Sequence, residues 1–404
     1  LILATGPANG FRIWGANRYA AFTKSPLTGI YAEAYSGGKA FLPMSRMGYD
    51  AFVLDGAFDD WTYIELKNSS VSFKNADFLV GKDSLETERI LKEKYQGKKA
   101  GILTIGPAGE NLVKFAYINN DSGRCLGRTG IGAVMGSKKI KALVFIGDQQ
   151  KQPADGDGLK AFWKEQFDNG IGSPVAKAYK KSGTPLMVDI VSKVGAFPAR
   201  YWQMGTVPHI TQINAEALHT ECEVEPGACT YCFIACKRMT TVKSGRHKGL
   251  KLDGPEFETI GAFGGQNMIE DIKEIAYLND ICDRLGMDTI TAGNVTAFAI
   301  EAYKNGKTGF AVEYGDVDRI AELLRMIAYR EGIGDLLAEG VRFAAKEIGF
   351  EEMSIQVKGL EPPSFDPRYL KGMGLGYAVS DRGACHLRTT FYKPELTGII
   401  QPET

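Results

Sequence analysis

The sequence predicts an α+β fold, a β-rich N-terminal domain followed by mainly helical domains. Three observations carry the prediction. Residues 1–150 hold short apolar runs of β-type residues separated by Gly- and Pro-containing turns, whereas the apolar period beyond residue 158 is helical. The stretch between, Gln149-Gln-Lys-Gln-Pro-Ala-Asp-Gly-Asp-Gly158, is polar and rich in breakers, as a domain boundary is. A length of 404 residues, at about 150 per domain, allows two to three units. We divide them as 1–150, 151–360 and 361–404, the last being the start of a third helical domain.

In the first unit, Leu1-Ile-Leu-Ala4, Ala51-Phe-Val-Leu54, Trp61-Thr-Tyr-Ile64, Gly101-Ile-Leu-Thr-Ile105 and Ala142-Leu-Val-Phe-Ile146 read as strands. Pro26–Gly29, Ser36–Gly38 and Gly106–Gly109 read as turns. One helix is predicted at about 84–95, capped by Ser84 with Glu86 and Glu88 in its first turns. In the second unit, Leu159–Phe167, Val175–Lys181 and Thr184–Val194 have amphipathic spacing. A longer helix is predicted at 269–285, with Ile269, Ile272, Ile275, Leu278, Cys282 and Leu285 on one stripe and Gly286 as its stop. Further helices are predicted at 288–304, 316–331 and 335–348. Glu361-Pro-Pro-Ser-Phe-Asp-Pro-Arg368 reads as a rigid linker leading to the Gly-rich run Lys371–Gly376.

Hydrophobic residues make up 44% of the chain and charged ones 24%, the balance of an ordinary globular protein with ample core. The formal net charge is zero, so composition gives no case for nucleic acid or a membrane surface as partner. No apolar run reaches the ~18 residues of a membrane span. No segment reads as a signal or transit peptide. Seven cysteines, three of them clustered, suit a reducing compartment, and we expect a cytoplasmic protein. The opening run reads as a strand already under way and Pro402–Thr404 closes no element, so we expect part of a longer polypeptide.

Chemistry concentrates first at Cys229-Thr-Tyr-Cys232-Phe-Ile-Ala-Cys236. Three thiols at this spacing suit an iron–sulfur cluster, since each iron takes a soft sulfur ligand, or a tetrahedral zinc; either needs a fourth ligand. Lys237 and Arg238 follow and would offset the charge of ligated thiolates. Gly123-Arg-Cys-Leu-Gly-Arg-Thr-Gly-Ile-Gly132 combines glycines that admit a ligand with two guanidiniums suited to phosphate, but is neither a Walker loop nor a dinucleotide fingerprint. Asp283-Arg-Leu-Gly-Met-Asp288 ends a helix with two carboxylates able to meet an amino-pyrimidine edge, or to cap and pair with Arg284. Glu258 is a candidate general acid/base beside Glu256, and His386 is a loop histidine among four in the chain.

Together these segments resemble the aldehyde ferredoxin oxidoreductase family. The resemblance runs in order through Arg18, Thr23–Gly29, Ser36–Gly38, Gly106-Pro-Ala-Gly-Glu-Asn-Leu-Val-Lys-Phe115, Gly132–Lys138, the cysteine motif, Gly254–Glu258, Asp283–Asp288 and Arg382–His386, covering essentially the whole chain. It implies a tungsten bis-pterin at the domain interface, a [4Fe-4S] cluster and a magnesium bridging the pterin phosphates. Arg18, Gly37, Arg124, Cys125 and Gly127 would hold pterin and phosphates, with the backbone carbonyls of Tyr35 and Cys125 on the magnesium. Asp283, Met287 and Asp288 would hold a pterin, and Arg388 stands where a pterin-contacting lysine is usual. Cys229, Cys232 and Cys236 would bind the cluster, its fourth cysteine being expected beyond Thr404, while Glu258 and His386 would flank the metal. Some family members bridge subunits with iron through E-x-x-H; Tyr277 and Asp280 replace that pair here. The implied reaction is oxidation of an aldehyde to its acid, or the reverse, with electrons to ferredoxin or an iron–sulfur partner subunit, in a homo- or hetero-oligomer. The rival expectations are the active-site subunit of a tungsten benzoyl-CoA reductase, for which a thiolate from Cys282 or Cys385 on the metal would speak, and a non-catalytic iron–sulfur electron carrier.

Overall fold

The computed structural model describes residues 1–400. The unclosed end expected at Pro402–Thr404 lies outside them. The first sheet takes β1 (Ile2–Thr5), β2 (Tyr19–Lys24), β3 (Tyr31–Ser36) and β4 (Ala51–Val53), all antiparallel, in the order β3-β2-β1-β4. The second takes β5 (Thr62–Lys67), β6 (Ser70–Asn75), β7 (Gly101–Thr104), β8 (Ile118–Asn120), β9 (Arg124–Leu126) and β10 (Ile140–Ile146) in the order β6-β5-β10-β7-β8-β9. Strand β10 pairs parallel to β5 and antiparallel to β7. It is apolar on both faces because both are covered. Leu143 and Phe145 meet Leu3, Phe41 and Met44, whereas Ala142 and Val144 meet Tyr63, Leu91 and Tyr95. Buried Lys141 on the same strand donates to the carbonyls of Lys82 and Ile105 and pairs with Glu110, so its charge is fully partnered.

Helix Ser84–Lys94 forms where expected, but Asp83 is its cap and accepts the Glu86 N–H; the Ser84 hydroxyl is buried and donates to the carbonyl of Asp283. The turn expected at Gly106–Gly109 opens a short helix, Pro107–Glu110, because proline suits the first helical turn. The breaker-rich stretch is shorter than expected: Asp155 caps helix Gly156–Ile171, so residues 156–158 are already helical. Helices Pro174–Ser182 and Met187–Lys193 follow, the latter after a single 3-10 turn at Thr184–Leu186.

The cysteine motif stands at the tip of a hairpin that the residue pattern did not reveal. Strands β11 (Cys222–Gly227), β12 (Lys237–Val242) and β13 (Lys251–Asp253) form an antiparallel sheet in that order, and residues 228–236 connect the first two.

The predicted 269–285 helix starts only at Ile272, because Asp271 caps it, and Gly286 ends it in the left-handed region at φ 82°. Helices Thr289–Lys304 and Val317–Tyr329 match expectation, capped by Asp288 and Asp316. The single helix expected at 335–348 is two, Ile333–Leu337 and Val341–Glu347, separated at Gly340, whose φ is 86°. The supposed linker is not a surface segment. Residues 361–366 are buried, with Glu361 accepting from the Thr291 hydroxyl and the Val341 N–H. Phe365, Leu370 and Met373 share one core with Phe263, Ile275 and Phe298, and that core extends to Leu27, Val113 and Phe115 of the N-terminal part. The Gly-rich run is the start of helix Lys371–Val379.

Candidate active site

A cavity of about 370 Å³ lies where the sheets meet the helices, a usual size for a small-molecule site. The sheet side brings Arg18, Tyr35, Gly37, Arg124, Cys125 and Gly127 to it. Strand β3 packs against β9, which places Tyr35 and Cys125 on one wall. The hairpin tip contributes Cys236, and the helical side contributes Glu258, Asp288 and His386. Residues from all three predicted units thus line one space.

Glu258 stands in a short helix, Phe257–Thr259, that runs into a π-helical turn at Ile260–Gln266. The Thr184 hydroxyl accepts the Phe257 N–H at 2.9 Å and fixes its start. Gly293 lets helix Thr289–Lys304 approach closely, since a Cβ there would lie 2.6 Å from that of Ala262. The carboxyl accepts the Ser364 N–H at 2.7 Å through Oε2, while Oε1 is buried with no hydrogen-bond partner among the described residues. Burial raises its pKa to about 7, against the opposing pull of the Ser364 N–H and of Arg128.

His386 sits 3.9 Å away, Nε2 to Glu258 Oε1, and its Nδ1 is likewise buried and unpartnered among the described residues. Its loop is pinned by two buried arginines. Arg128 donates to the Ala384 carbonyl at 2.8 Å, to the Glu361 carbonyl and to Asp288 at 3.1 Å. Arg382 donates to the Glu33 carbonyl at 2.6 Å and to the Cys385 sulfur at 2.8 Å. Burial, then these two guanidiniums, push His386 down to about 3, so the close approach to Glu258 is that of a neutral imidazole and not an ion pair.

At the opposite wall, Arg124 pairs with Asp253 at 3.2 Å and Glu256 at 3.4 Å and feels the charges of Cys229 and Cys236. Burial, then Glu256, raises the Cys236 thiol to about 11. The sulfur of Cys229 stands where it would meet a Cβ on Gly37 at 2.8 Å, so that glycine is required by close approach. Cys232 does not line the cavity, and among the described residues no three His, Cys, Asp or Glu side chains close on a common point as a metal site. Lys237 pairs with Asp253, and Arg238 clamps the carbonyls of Lys180, Lys181 and Ala235, so both hold the hairpin base instead of lying free beside the thiols.

Asp283 and Met287 lie behind the cavity. Asp283 accepts from Tyr117 at 3.1 Å and Asn279 at 2.7 Å; burial raises its pKa well above the carboxylate range. Asp288 reaches the cavity, with its oxygens engaged by Arg128 and by the N–H groups of Ile290 and Thr291. Arg388 pairs with buried Glu33 and leans over the Tyr35 ring. The motif at Gly123–Gly132 offered Arg128 with Arg124 to phosphate, but Arg128 is taken by Asp288 and two carbonyls, and Arg382 was given no role; nothing in a residue string separates a buried guanidinium from an exposed one. Asp253, Phe365 and Tyr392 also line the cavity and were missed, having no motif of their own.

A buried carboxyl and imidazole face a cation-bearing, glycine-walled cavity on a fold of three sheets and helices, the arrangement of a candidate active site. The first 147 residues match the family model "Aldehyde ferredoxin oxidoreductase, N-terminal domain", and residues 162–404 match "Aldehyde ferredoxin oxidoreductase, domains 2 & 3". The chain belongs to the aldehyde ferredoxin oxidoreductase family. It is 37% identical over 406 residues to the tungsten-containing aldehyde ferredoxin oxidoreductase of Pyrococcus furiosus, and equally to that of Thermococcus kodakarensis. Each match covers 98% of this chain, which spans 66% of those relatives' length. Among solved structures, a chain of the active-site complex of benzoyl coenzyme A reductase is similar, with a TM-score of 0.77 and 25% identity over 90% of this chain and 58% of that one.

Proposed function

We propose that this chain carries the catalytic site of a tungsten-pterin, iron–sulfur oxidoreductase that oxidises aldehydes to carboxylic acids and passes electrons to ferredoxin or an iron–sulfur partner subunit in the cytoplasm. The observation that carries the reading is the buried Glu258–His386 pair, 3.9 Å apart, each with one buried atom unpartnered among the described residues, on a cavity also lined by Arg18, Gly37, Arg124 and Cys236. No helix among the described residues is long and apolar enough to cross a membrane.

The donor set fits the implied groups. Arg18 and Arg124 are suited to phosphate, and Gly37 and Gly127 let backbone approach a flat ligand. Backbone carbonyls at Tyr35 and Cys125 share a wall and would take magnesium. Asp288 would meet a pterin at the cavity wall, Asp283 and Met287 would support that wall from behind, and Arg388 leans over Tyr35. Cys229, Cys232 and Cys236 supply three soft ligands from one hairpin tip. When bound, tungsten-pterin would supply a two-electron acceptor, and the cluster a one-electron outlet.

The chain's own part is orientation and proton transfer. Turning an aldehyde and a water into an acid releases two protons with two electrons. Glu258, near pH 7 in its titration, takes a proton from the hydrated carbonyl at Oε1. His386 stays neutral across the working range and orients the hydroxyl through a ring nitrogen. The likeness to the benzoyl coenzyme A reductase chain favours a second reading, a subunit that reduces an aromatic ring. Its thiolate candidates speak against it: Cys282 is buried in its helix, Cys385 is engaged by Arg382, and neither lines the cavity. A mere electron carrier would have no use for the acid/base pair.

The test is metal analysis of the purified native protein with an aldehyde-dependent dye-reduction assay. We expect about one tungsten and four irons per chain, with turnover. Iron without tungsten, or no aldehyde-dependent reduction, would sink the reading.

A further inference from the structure

We propose that the preferred substrate of this site is an uncharged aromatic aldehyde, its ring lying against a wall made by Phe257, Phe365 and Tyr392. The inference rests on the aldehyde-oxidising reading above and adds to it the chemical class of the side chain.

The cavity has two unlike ends. The sheet end carries Arg18 and Arg124, whereas Phe257, Phe365 and Tyr392 line the cavity beside Glu258 and His386. The rings there are ordered against one another. Phe365 stacks on Tyr392 with centroids 4.3 Å apart, and Phe257 tilts against Phe365 at 5.0 Å. His386 lies 6.2 Å from Phe365, tilted by 31°. The imidazole thus shares the wall that would hold the substrate ring, which puts an aldehyde carbon within reach of the acid/base pair. Offset or edgewise contact with such a wall favours an aromatic ring over a saturated ring of the same carbon count.

Charge argues for a neutral side chain. The cations nearest the pair are already engaged: Arg128 by Asp288 and two carbonyls, Arg382 by the Glu33 carbonyl and Cys385, and Arg388 by Glu33. A substrate carboxylate or phosphate would enter beside Glu258 with no free cation among the described residues at that end to receive it, at the cost of desolvating an unpaired charge.

The experiment uses the native holoenzyme with benzaldehyde, cyclohexanecarbaldehyde and glyceraldehyde 3-phosphate as substrates. The inert alcohols benzyl alcohol and cyclohexylmethanol serve as ligands in saturation-transfer NMR. We expect kcat/KM for benzaldehyde to exceed that for the saturated analogue by about fivefold to tenfold, mainly through KM, and benzyl alcohol to bind the tighter. Tyr392→Leu should erase that ratio and Tyr392→Phe should keep it. Equal turnover of the two ring aldehydes, or preference for the phosphorylated one, would overturn the inference and leave the aldehyde reading standing. Turnover of no aldehyde would remove the aldehyde reading and this inference with it, and selective benzyl alcohol binding would then mark the wall as an aromatic site for another reaction.

Discussion

The acid/base wall and the cysteine hairpin tip face the same cavity and are held by opposite means. Glu258 and His386 are buried, and the segments carrying them are tied by Ser364, Thr184 and two buried arginines that donate to backbone carbonyls. The thiols of Cys229, Cys232 and Cys236 are half-buried, on a tip whose Tyr231 and Ala235 adopt left-handed backbone at φ 58° and 49°. That tip leans on an aromatic stack in which Phe233 meets Trp14 edge-on at 4.8 Å, and Trp14 stacks on Trp163 and Phe167 at 5.5 and 5.2 Å. One wall is therefore fixed by the polypeptide's own hydrogen bonds, which are costly to break. The other is a cysteine loop resting on rings, able to move by small amounts without unfolding its neighbours. Proton transfer needs the first kind of support, because a misplaced base loses rate steeply.

The largest effects should come from cutting into the rigid wall. Arg128→Leu strands Asp288 as a buried charge without its guanidinium and releases the Ala384 and Glu361 carbonyls. We expect a loss of about 3–5 kcal/mol, read as a lower urea midpoint. A loss under ~1 kcal/mol would show the wall to be less rigid than its hydrogen bonds imply. Glu258→Gln should lower kcat by about 10²–10⁴-fold with KM little changed, checked by aldehyde-dependent dye reduction.

The same substitution sharpens the comparison through pH. The Glu258 carboxyl titrates near 7 in the fold, above its ordinary 4.5. Between these values the folded chain holds a proton that the unfolded chain has released. Its contribution to stability is therefore full below pH 4.5 and is lost as pH rises through 7. Relative to Glu258→Gln, wild type should lose about 3 kcal/mol from pH 4.5 to beyond pH 7. His386 acts in the opposite sense. Its pKa falls from 6.5 to about 3, so stability is lost as pH drops through that window. Urea titrations of Glu258→Gln and of His386→Gln against wild type across pH 3–8 check both signs.

How far the residues alone reached follows the same divide. Periodicity located most helices, since the apolar stripe of Ile272, Ile275, Leu278 and Leu285 is a local pattern, and Gly286 marks its end by a requirement that few other residues meet. It failed at Gly340, where a glycine inside a helical pattern divides two helices, and at Glu361–Asp366, where prolines suggested a linker and tertiary packing buried the segment. The cavity's chemistry was legible where it sits in motifs, at Gly37, Arg124, Glu258 and His386. It was illegible where it depends on distant partners. Arg128 acts through carbonyls 233 and 256 positions away, and Arg382 through one 349 positions away. Asp283 carries a plausible ligand carboxylate, yet Tyr117 and Asn279 take it behind the wall.

The smallest stability effect belongs to the soft side. Cys232→Ser exchanges a half-buried thiol for a hydroxyl on a tip whose support comes from Phe233 and the hairpin strands, not from the sulfur. A surface-like change of this kind should move the urea midpoint of the apo chain by no more than about 0.5 kcal/mol. Iron content should nevertheless collapse, since a cluster bound through this loop loses one of its few soft ligands. The two readouts must separate if the loop binds metal without being part of the packed core. A large loss of apo stability would mean that the thiol carries packing after all, and unchanged iron content would remove Cys232 from the ligand set. Trp163→Ala provides the complementary case, removing a ring beneath the tip while leaving all three thiols. There the apo midpoint should fall by about 1 kcal/mol with iron retained, placing the aromatic stack on the side of support and the sulfurs on the side of chemistry.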